Sequence, residues 1–143
     1  MESIRLKARA KINLGLDVIG RRENGYHDVR MVMQTVGLYD RIIMTRIPEK
    51  EIRIKTNIGF LPVNENNLVY KAIMLMKSKY KLDGGIEVDL NKFIPVAAGM
   101  AGGSSDAASA LFGMNRLYEL NLPIGELMNI GVEIGADVPY CIM

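Results

Sequence analysis

From Ile4 to Val18 every even-numbered residue is apolar: Ile4, Leu6, Ala8, Ala10, Ile12, Leu14, Leu16 and Val18. The odd positions from Ser3 to Asp17 include Arg5, Lys7, Arg9, Lys11, Asn13 and Gly15. A period of two sends alternate side chains to opposite faces of an extended chain, so this stretch reads as a strand with one buried face. A chain that opens this way needs a sheet and a layer to cover it. The run exceeds an ordinary strand, which predicts a bend or two collinear strands. If the phase holds, Lys11 and Asn13 project from one polar face, and Arg5, Lys7 and Arg9 read as a solvated strand face.

The first half continues in the same style. Asn24-Gly25 is a turn signal within Arg21–Tyr26, and Asp28–Val36 reads as the returning strand. Asp40–Ile47 and Glu51–Thr56 read as further strands joined through Pro48. The polar cluster Asn64-Glu65-Asn66-Asn67 supplies helix-capping residues. After it, Leu68–Tyr80 has helical spacing, with Leu68, Ala72, Leu75, Met76 and Lys79 or Tyr80 near one stripe. Asp83-Gly84-Gly85 ends that helix, and Ile86, Val88 and Leu90 alternate with Glu87, Asp89 and Asn91 as one more strand.

Between that strand and the next helix lies Ile94-Pro95-Val96-Ala97-Ala98-Gly99-Met100-Ala101-Gly102-Gly103-Ser104-Ser105-Asp106-Ala107-Ala108. Ser104, Ser105 and Asp106 are residues that cap helix starts, and an alanine-rich helical run follows them. Its expected stripe is Ala107, Ala108, Leu111, Met114 or Asn115, and Tyr118. A glycine-rich loop opening a helix offers unpaired N–H groups and the positive end of the helix dipole, an anion site for which phosphate is the natural ligand. The alternative is a tight strand-to-helix turn packed through small residues. No Lys-Ser/Thr follows the glycines as in a Walker loop, and the spacing is not that of a dinucleotide fingerprint. Further on, Pro123 suits the first turn of a helix running to about Ile134. Gly135-Ala136-Asp137-Val138-Pro139 interrupts it, and Tyr140-Cys141-Ile142-Met143 reads as the start of another strand. The expectation is that the chain is cut there.

Composition narrows the function. The 143 residues, 49% hydrophobic and 24% charged, fit one globular domain. A net charge of +2, with aromatic and basic residues not interleaved, argues against a nucleic-acid partner. One cysteine excludes an internal disulfide framework, and Cys and His are too few for structural zinc. No apolar run approaches a membrane span, and the N-terminus has no signal-peptide core. A cytoplasmic chain with no membrane partner is expected. Ten methionines and no tryptophan suggest a Met-padded core.

Three side chains outside the loop could carry chemistry. Lys11 sits in Ala10-Lys11-Ile12-Asn13, where a lone strand lysine is otherwise merely solvated. Asp137 could be a general base or a metal ligand, or a turn or capping aspartate. His27, the single histidine, follows Tyr26 and could stack a ring, donate hydrogen bonds or simply pack.

Together and in this order, Ala10-Lys11-Ile12-Asn13, Gly25-Tyr26-His27, the stretch Ile94–Ala108 and Gly135-Ala136-Asp137-Val138-Pro139 resemble the GHMP kinases. The resemblance implies an α+β, two-layer N-terminal domain akin to a ribosomal-protein domain, a mixed sheet with helices on one face, spanning 1–143. It also implies a second, C-terminal domain that is absent here, so the chain as a fragment is expected to be poorly active, with weak nucleotide binding and little turnover. The implied reaction is ATP-dependent phosphoryl transfer to a hydroxyl of a small molecule carrying a cytidine diphosphate group, in isoprenoid precursor synthesis. By this resemblance Lys11 and Asp137 are catalytic: Asp137 takes the hydroxyl proton, and Lys11 orients the substrate and keeps Asp137 ionised. Asn13, Tyr26 and His27 bind substrate. ATP is held by Asn67, Leu68 and Lys92 near the adenosine, and by Pro95, Val96, Ala97, Ala98, Gly99, Met100, Ala101, Gly102, Gly103, Ser104 and Ser105 around the phosphates. Mg2+ travels with the phosphates, and no protein ligand is assigned to it. The alternatives are another GHMP small-molecule kinase, against which Gly25-Tyr26-His27 speaks, or a non-catalytic RNA-binding domain of similar fold.

Overall fold

A computed structural model describes residues 2–21, 27–94 and 102–142, and the side chains of 2–10, 38–94 and 102–142. In chain order the elements are β1 (Ser3–Arg21), β2 (His27–Ile47), β3 (Ile52–Thr56), α1 (Leu68–Tyr80), β4 (Gly85–Asn91), α2 (Gly102–Leu117), α3 (Ile124–Val132) and α4 (Val138–Ile142). The strands form one mixed sheet in the order β1-β2-β4-β3. β1 with β2 and β2 with β4 are antiparallel, while β3 and β4 run parallel, as strands joined through a helix can.

The alternation at the N-terminus becomes one long strand. Its register with β2 shifts between Arg9 and Lys11, between Asn13 and Gly15, and between Val18 and Gly20. Register shifts of this kind are the local irregularities by which a strand can bend. β2 also runs unbroken through both Asp28–Val36 and Asp40–Ile47, which the sequence pattern alone separates.

Even positions of the sheet face the helices. Ala8, Ile42, Met44, Ile54, Ile86, Val88 and Leu90 pack with Val69, Ala72, Ile73 and Met76 of α1 and Ala107, Ala110, Leu111 and Met114 of α2. Each large side chain so buried contributes about 1.5–3 kcal/mol. α2 comes close because its sheet-facing side is small: a Cβ on Gly113 would stand 2.5 Å from Met44 Sδ. The stripe of α1 turns out rotated, with Val69 and Ile73 inward and Leu68 and Leu75 partly buried.

Among the described residues the opposite sheet face is covered by no helix, and it carries the odd positions. There Tyr39 lies under Lys7 and Arg9, at 5.0 and 5.9 Å, and Phe93 under Arg41 at 5.4 Å. Basic and aromatic side chains that are not interleaved along the chain are thus interleaved across strands.

The C-terminal stretch is a correction. Residues 138–142 form the short helix α4, not a strand. Pro139, with no N–H to give a ladder, costs nothing in a first helical turn. Val138 is fully buried, and a Cβ on Gly131 would meet its Cγ1 at 2.9 Å, so α3 and α4 are pressed together.

Candidate functional site

Two helix starts and a strand exit meet around the glycine-rich stretch. Asn67 caps α1: its Oδ1 accepts the Val69 N–H at 2.8 Å, and its Nδ2 donates to the Pro62 carbonyl at 2.9 Å. Leu68 follows, and a Cβ on Gly103 would lie 3.4 Å from its Cδ1. A Cβ on Gly102 would stand 3.1 Å from Ile94 Cγ2 and 3.4 Å from Lys92 Nζ. Asn67, Leu68, Lys92, Gly102 and Gly103, all expected near ATP, therefore belong to one locality. α2 is already helical at Gly102, so Ser104, Ser105 and Asp106 lie inside its first turns instead of capping it. Ser105 is buried, and its hydroxyl donates to the Arg9 carbonyl at 2.6 Å, beside the register shift that precedes Lys11.

Lys92 is not a free cation. Its ammonium is buried and donates at 2.6 Å to Asp40 Oδ2 and at 2.6 Å to Asp106 Oδ2. Asp40 Oδ1 accepts the backbone N–H groups of Phe93 at 2.6 Å and Ile94 at 2.8 Å. Asn57 exchanges two bonds with the backbone of Lys92, at 2.8 and 3.1 Å. Burial works against the Asp40 anion, but hydrogen bonds from Asp106, Ile94, Lys92 and Phe93 hold its carboxyl below the usual range. Lys92 loses by burial and gains more from its two carboxylates, so it stays protonated. Asp106 goes the other way: burial, then the neighbouring Asp40, push its carboxyl up to about 8 against the pull of Lys92. Its Oδ1 is the buried side-chain atom left without a partner among the described residues.

Asp40 and Asp106 are not among the candidates that the sequence offers. A signal existed for Asp40: it occupies the inward phase of Asp40, Ile42 and Met44. Lys92 likewise follows Ile86, Val88 and Leu90 in phase. Two opposite charges in the core phases of paired strands point to a buried ion pair.

Asp137 is exposed at the start of α4, and its carbonyl accepts the Cys141 N–H at 3.3 Å. Lys11 and Asn13 lie on β1, with backbones opposite Thr35 and Met33, and His27 begins β2 opposite Arg21. The side chains of Lys11, Asn13 and His27, and the whole of Tyr26, Pro95, Val96, Ala97, Ala98, Gly99, Met100 and Ala101, fall outside the described residues. So does the approach of Lys11 to Asp137 that the resemblance implies.

The model of the GHMP kinases N terminal domain matches residues 67–143, more than half of the chain. The chain belongs to the GHMP kinases. Among relatives of this GHMP kinase chain, 4-diphosphocytidyl-2-C-methyl-D-erythritol kinase of Lachnospira eligens is 93% identical over 143 residues, all of this chain and 50% of that protein. The enzyme of the same name from Lachnoclostridium phytofermentans is 58% identical, over all of this chain and 49% of its own length. The chain spans about half the length of the curated relatives it matches. A crystal structure of 4-(cytidine 5'-diphospho)-2C-methyl-D-erythritol kinase superposes with a TM-score of 0.80 at 34% identity, covering 97% of this chain and 48% of that one. Homoserine kinase from Cytophaga hutchinsonii, at TM-score 0.74 and 20% identity over 94% of this chain and 41% of its own, shares the GHMP fold. The expected mixed sheet with helices on one face is therefore the family's architecture. Among the described residues no helix is long and apolar enough to cross a membrane.

Proposed function

We propose that this GHMP kinase chain serves ATP-dependent phosphorylation of a hydroxyl of 4-diphosphocytidyl-2-C-methyl-D-erythritol. The observation that carries the reading is the 93% identity, over the whole chain, to an enzyme named for that reaction. The site geometry supports it: the α1 start, the β4 exit and the α2 start converge where an anion would meet helix N–H groups.

In such a transfer the substrate oxygen forms a bond to the γ-phosphorus as the bridging bond to ADP breaks. Little covalent help is needed, and positioning with charge stabilisation supplies most of the rate. The first N–H groups of α2 are preorganised donors for phosphate oxygens. Asn67 and Leu68 border the adenosine. Asp137 accepts the hydroxyl proton, with Lys11 orienting the acceptor and Asn13, Tyr26 and His27 holding the substrate. Mg2+ enters with the triphosphate. Among the described residues no group of three or more His, Cys, Asp or Glu is placed to hold a metal.

Transfer of labelled γ-phosphate from ATP to the cytidine-diphosphate-linked methylerythritol tests the reading, with mevalonate and homoserine as competing acceptors. Asp137→Asn is expected to lower turnover about 100-fold or more while ATP still binds. Preference for mevalonate or homoserine would replace the substrate. Near-normal turnover of Asp137→Asn would remove Asp137 as the base.

A further inference from the structure

Among the described residues, Ile94 lies three residues past the end of β4, and Gly102 opens α2. Both positions are tied to one buried point. On the strand side, the N–H groups of Phe93 and Ile94 are taken by Asp40 Oδ1, and that of Lys92 by Asn57. On the helix side, Asp106 in the second turn of α2 holds the same Lys92 ammonium that Asp40 holds. A Cβ on Gly102 would also stand 3.4 Å from Lys92 Nζ, so the ammonium lies against the start of α2. Burying three ionisable groups is costly unless each gains a well-placed partner. Here the return is geometric: one ammonium sets the separation between the strand exit and the helix start.

We propose that Asp40, Lys92 and Asp106 form a positioning clamp for the nucleotide site, setting where the first N–H groups of α2 point when the triphosphate of ATP arrives. The clamp rests on the ATP-dependent reading above and gives Lys92 a positioning role that its side chain performs without touching ATP.

A consequence follows from charge. Asp40 and Lys92 cancel, so an ionised Asp106 would leave a net negative charge buried next to the helix start that receives a polyanion. The titratable groups that shift Asp106 are Asp40 on β2 and Lys92 beyond β4. β1 offers the Arg9 carbonyl to the neighbouring Ser105. α1, α3 and α4 contribute apolar core residues, among them Val69, Ala72, Leu127, Ile130 and Val138. A proton on the Asp106 carboxyl has an acceptor in the Asp40 carboxylate beside it. ATP and that proton therefore favour one another, and by linkage each tightens the binding of the other.

The test is equilibrium binding of ATP to the 143-residue chain, with excess magnesium at pH 7, 8 and 9, for the unmodified chain, Asp106→Asn and Lys92→Met. The unmodified chain is expected to lose ATP affinity about fivefold across this range. Asp106→Asn, permanently neutral, is expected to give a flat profile. Lys92→Met, which releases both ends, is expected to weaken ATP about tenfold or more at pH 7. Folding of each variant is read in parallel by circular dichroism; if Lys92→Met fails to fold, the Asp106→Asn profile decides alone. A profile for Asp106→Asn as steep as that of the unmodified chain, or wild-type affinity in folded Lys92→Met, overturns the clamp. Absence of ATP binding by the unmodified chain overturns the ATP reading and the clamp with it.

Discussion

Gly85 lies directly beneath the backbone of Glu51. A Cβ at Gly85 would collide with the carbonyl oxygens of Glu49 and Glu51, and the adjoining Ile86 N–H donates to the Glu51 carbonyl at 3.0 Å. That bond starts the parallel pairing of β3 with β4, whose register begins at Ile52 and Ile86. Backbone cannot move aside as a side-chain tip can. Gly85→Ala is therefore expected to cost about 3 kcal/mol, measured by urea unfolding. Gly125, early in α3, is the control, because a Cβ added there would meet nothing within 4 Å. There Ala is expected to stabilise by up to about 1 kcal/mol.

What could be read from the chain follows from this contrast. Periodicity located α1 from Leu68 to Tyr80, because a capping asparagine and a diglycine frame it. It located β4, because Ile86, Val88 and Leu90 alternate cleanly. It missed α4, because four apolar residues carry no period of their own and the seat of Val138 against Gly131 is a tertiary contact. It divided β2, because Val36-Gly37-Leu38 does not alternate with its neighbours. At the site, the glycines led to the expectation of an anion on which the proposed ATP site rests. The role of Lys92 was hidden, since it depends on Asp40 and Asp106, which are remote in sequence and meet it only after the sheet forms.

Asp106 makes stability depend on pH in a direction opposite to that of most carboxylates. Its carboxyl titrates near 8 in the folded chain, against an ordinary value of 3.8. Between those values the folded state holds a proton that the unfolded chain has released. Stability from this group is thus greatest in acid, falls as pH rises through the window, and levels off above about pH 8. Asparagine has no proton to lose. The melting temperature of Asp106→Asn minus that of the unmodified chain is expected to grow steadily from pH 5 to pH 8. The limiting slope is about 1.4 kcal/mol per pH unit. A constant difference would place the carboxyl's titration outside that range.

Asn67 separates capping from nucleotide contact. Its side chain both accepts from Val69 N–H and donates to the Pro62 carbonyl. Asn67→Ala is expected to destabilise by about 1–2 kcal/mol, since the cap and a tertiary bond go together. Asn67→Asp keeps the acceptor and places a negative charge at the positive end of α1. It is expected to recover most of the capping loss in thermal melts. If it nevertheless weakens ATP binding as much as alanine does, the amide itself is what the nucleotide uses.

Ser104 and Ser105 are neighbours with different duties. Ser104 is half-exposed near the α2 start, whereas the buried Ser105 ties α2 to β1 through the Arg9 carbonyl at 2.6 Å. Removing that hydroxyl takes away a part-buried hydrogen bond beside the strand irregularity that leads to Lys11, at a cost of about 1 kcal/mol. Ser105→Ala is therefore expected to lower the unfolding midpoint in urea clearly. Ser104→Ala is expected to leave that midpoint within about 0.5 kcal/mol of the unmodified chain. In binding, the order reverses if Ser104 faces the phosphates: ATP affinity falls more for Ser104→Ala than for Ser105→Ala. Equal losses of affinity, scaling with the losses of stability, would mean that neither hydroxyl touches the nucleotide and that Ser105 serves the site only by holding α2 against β1.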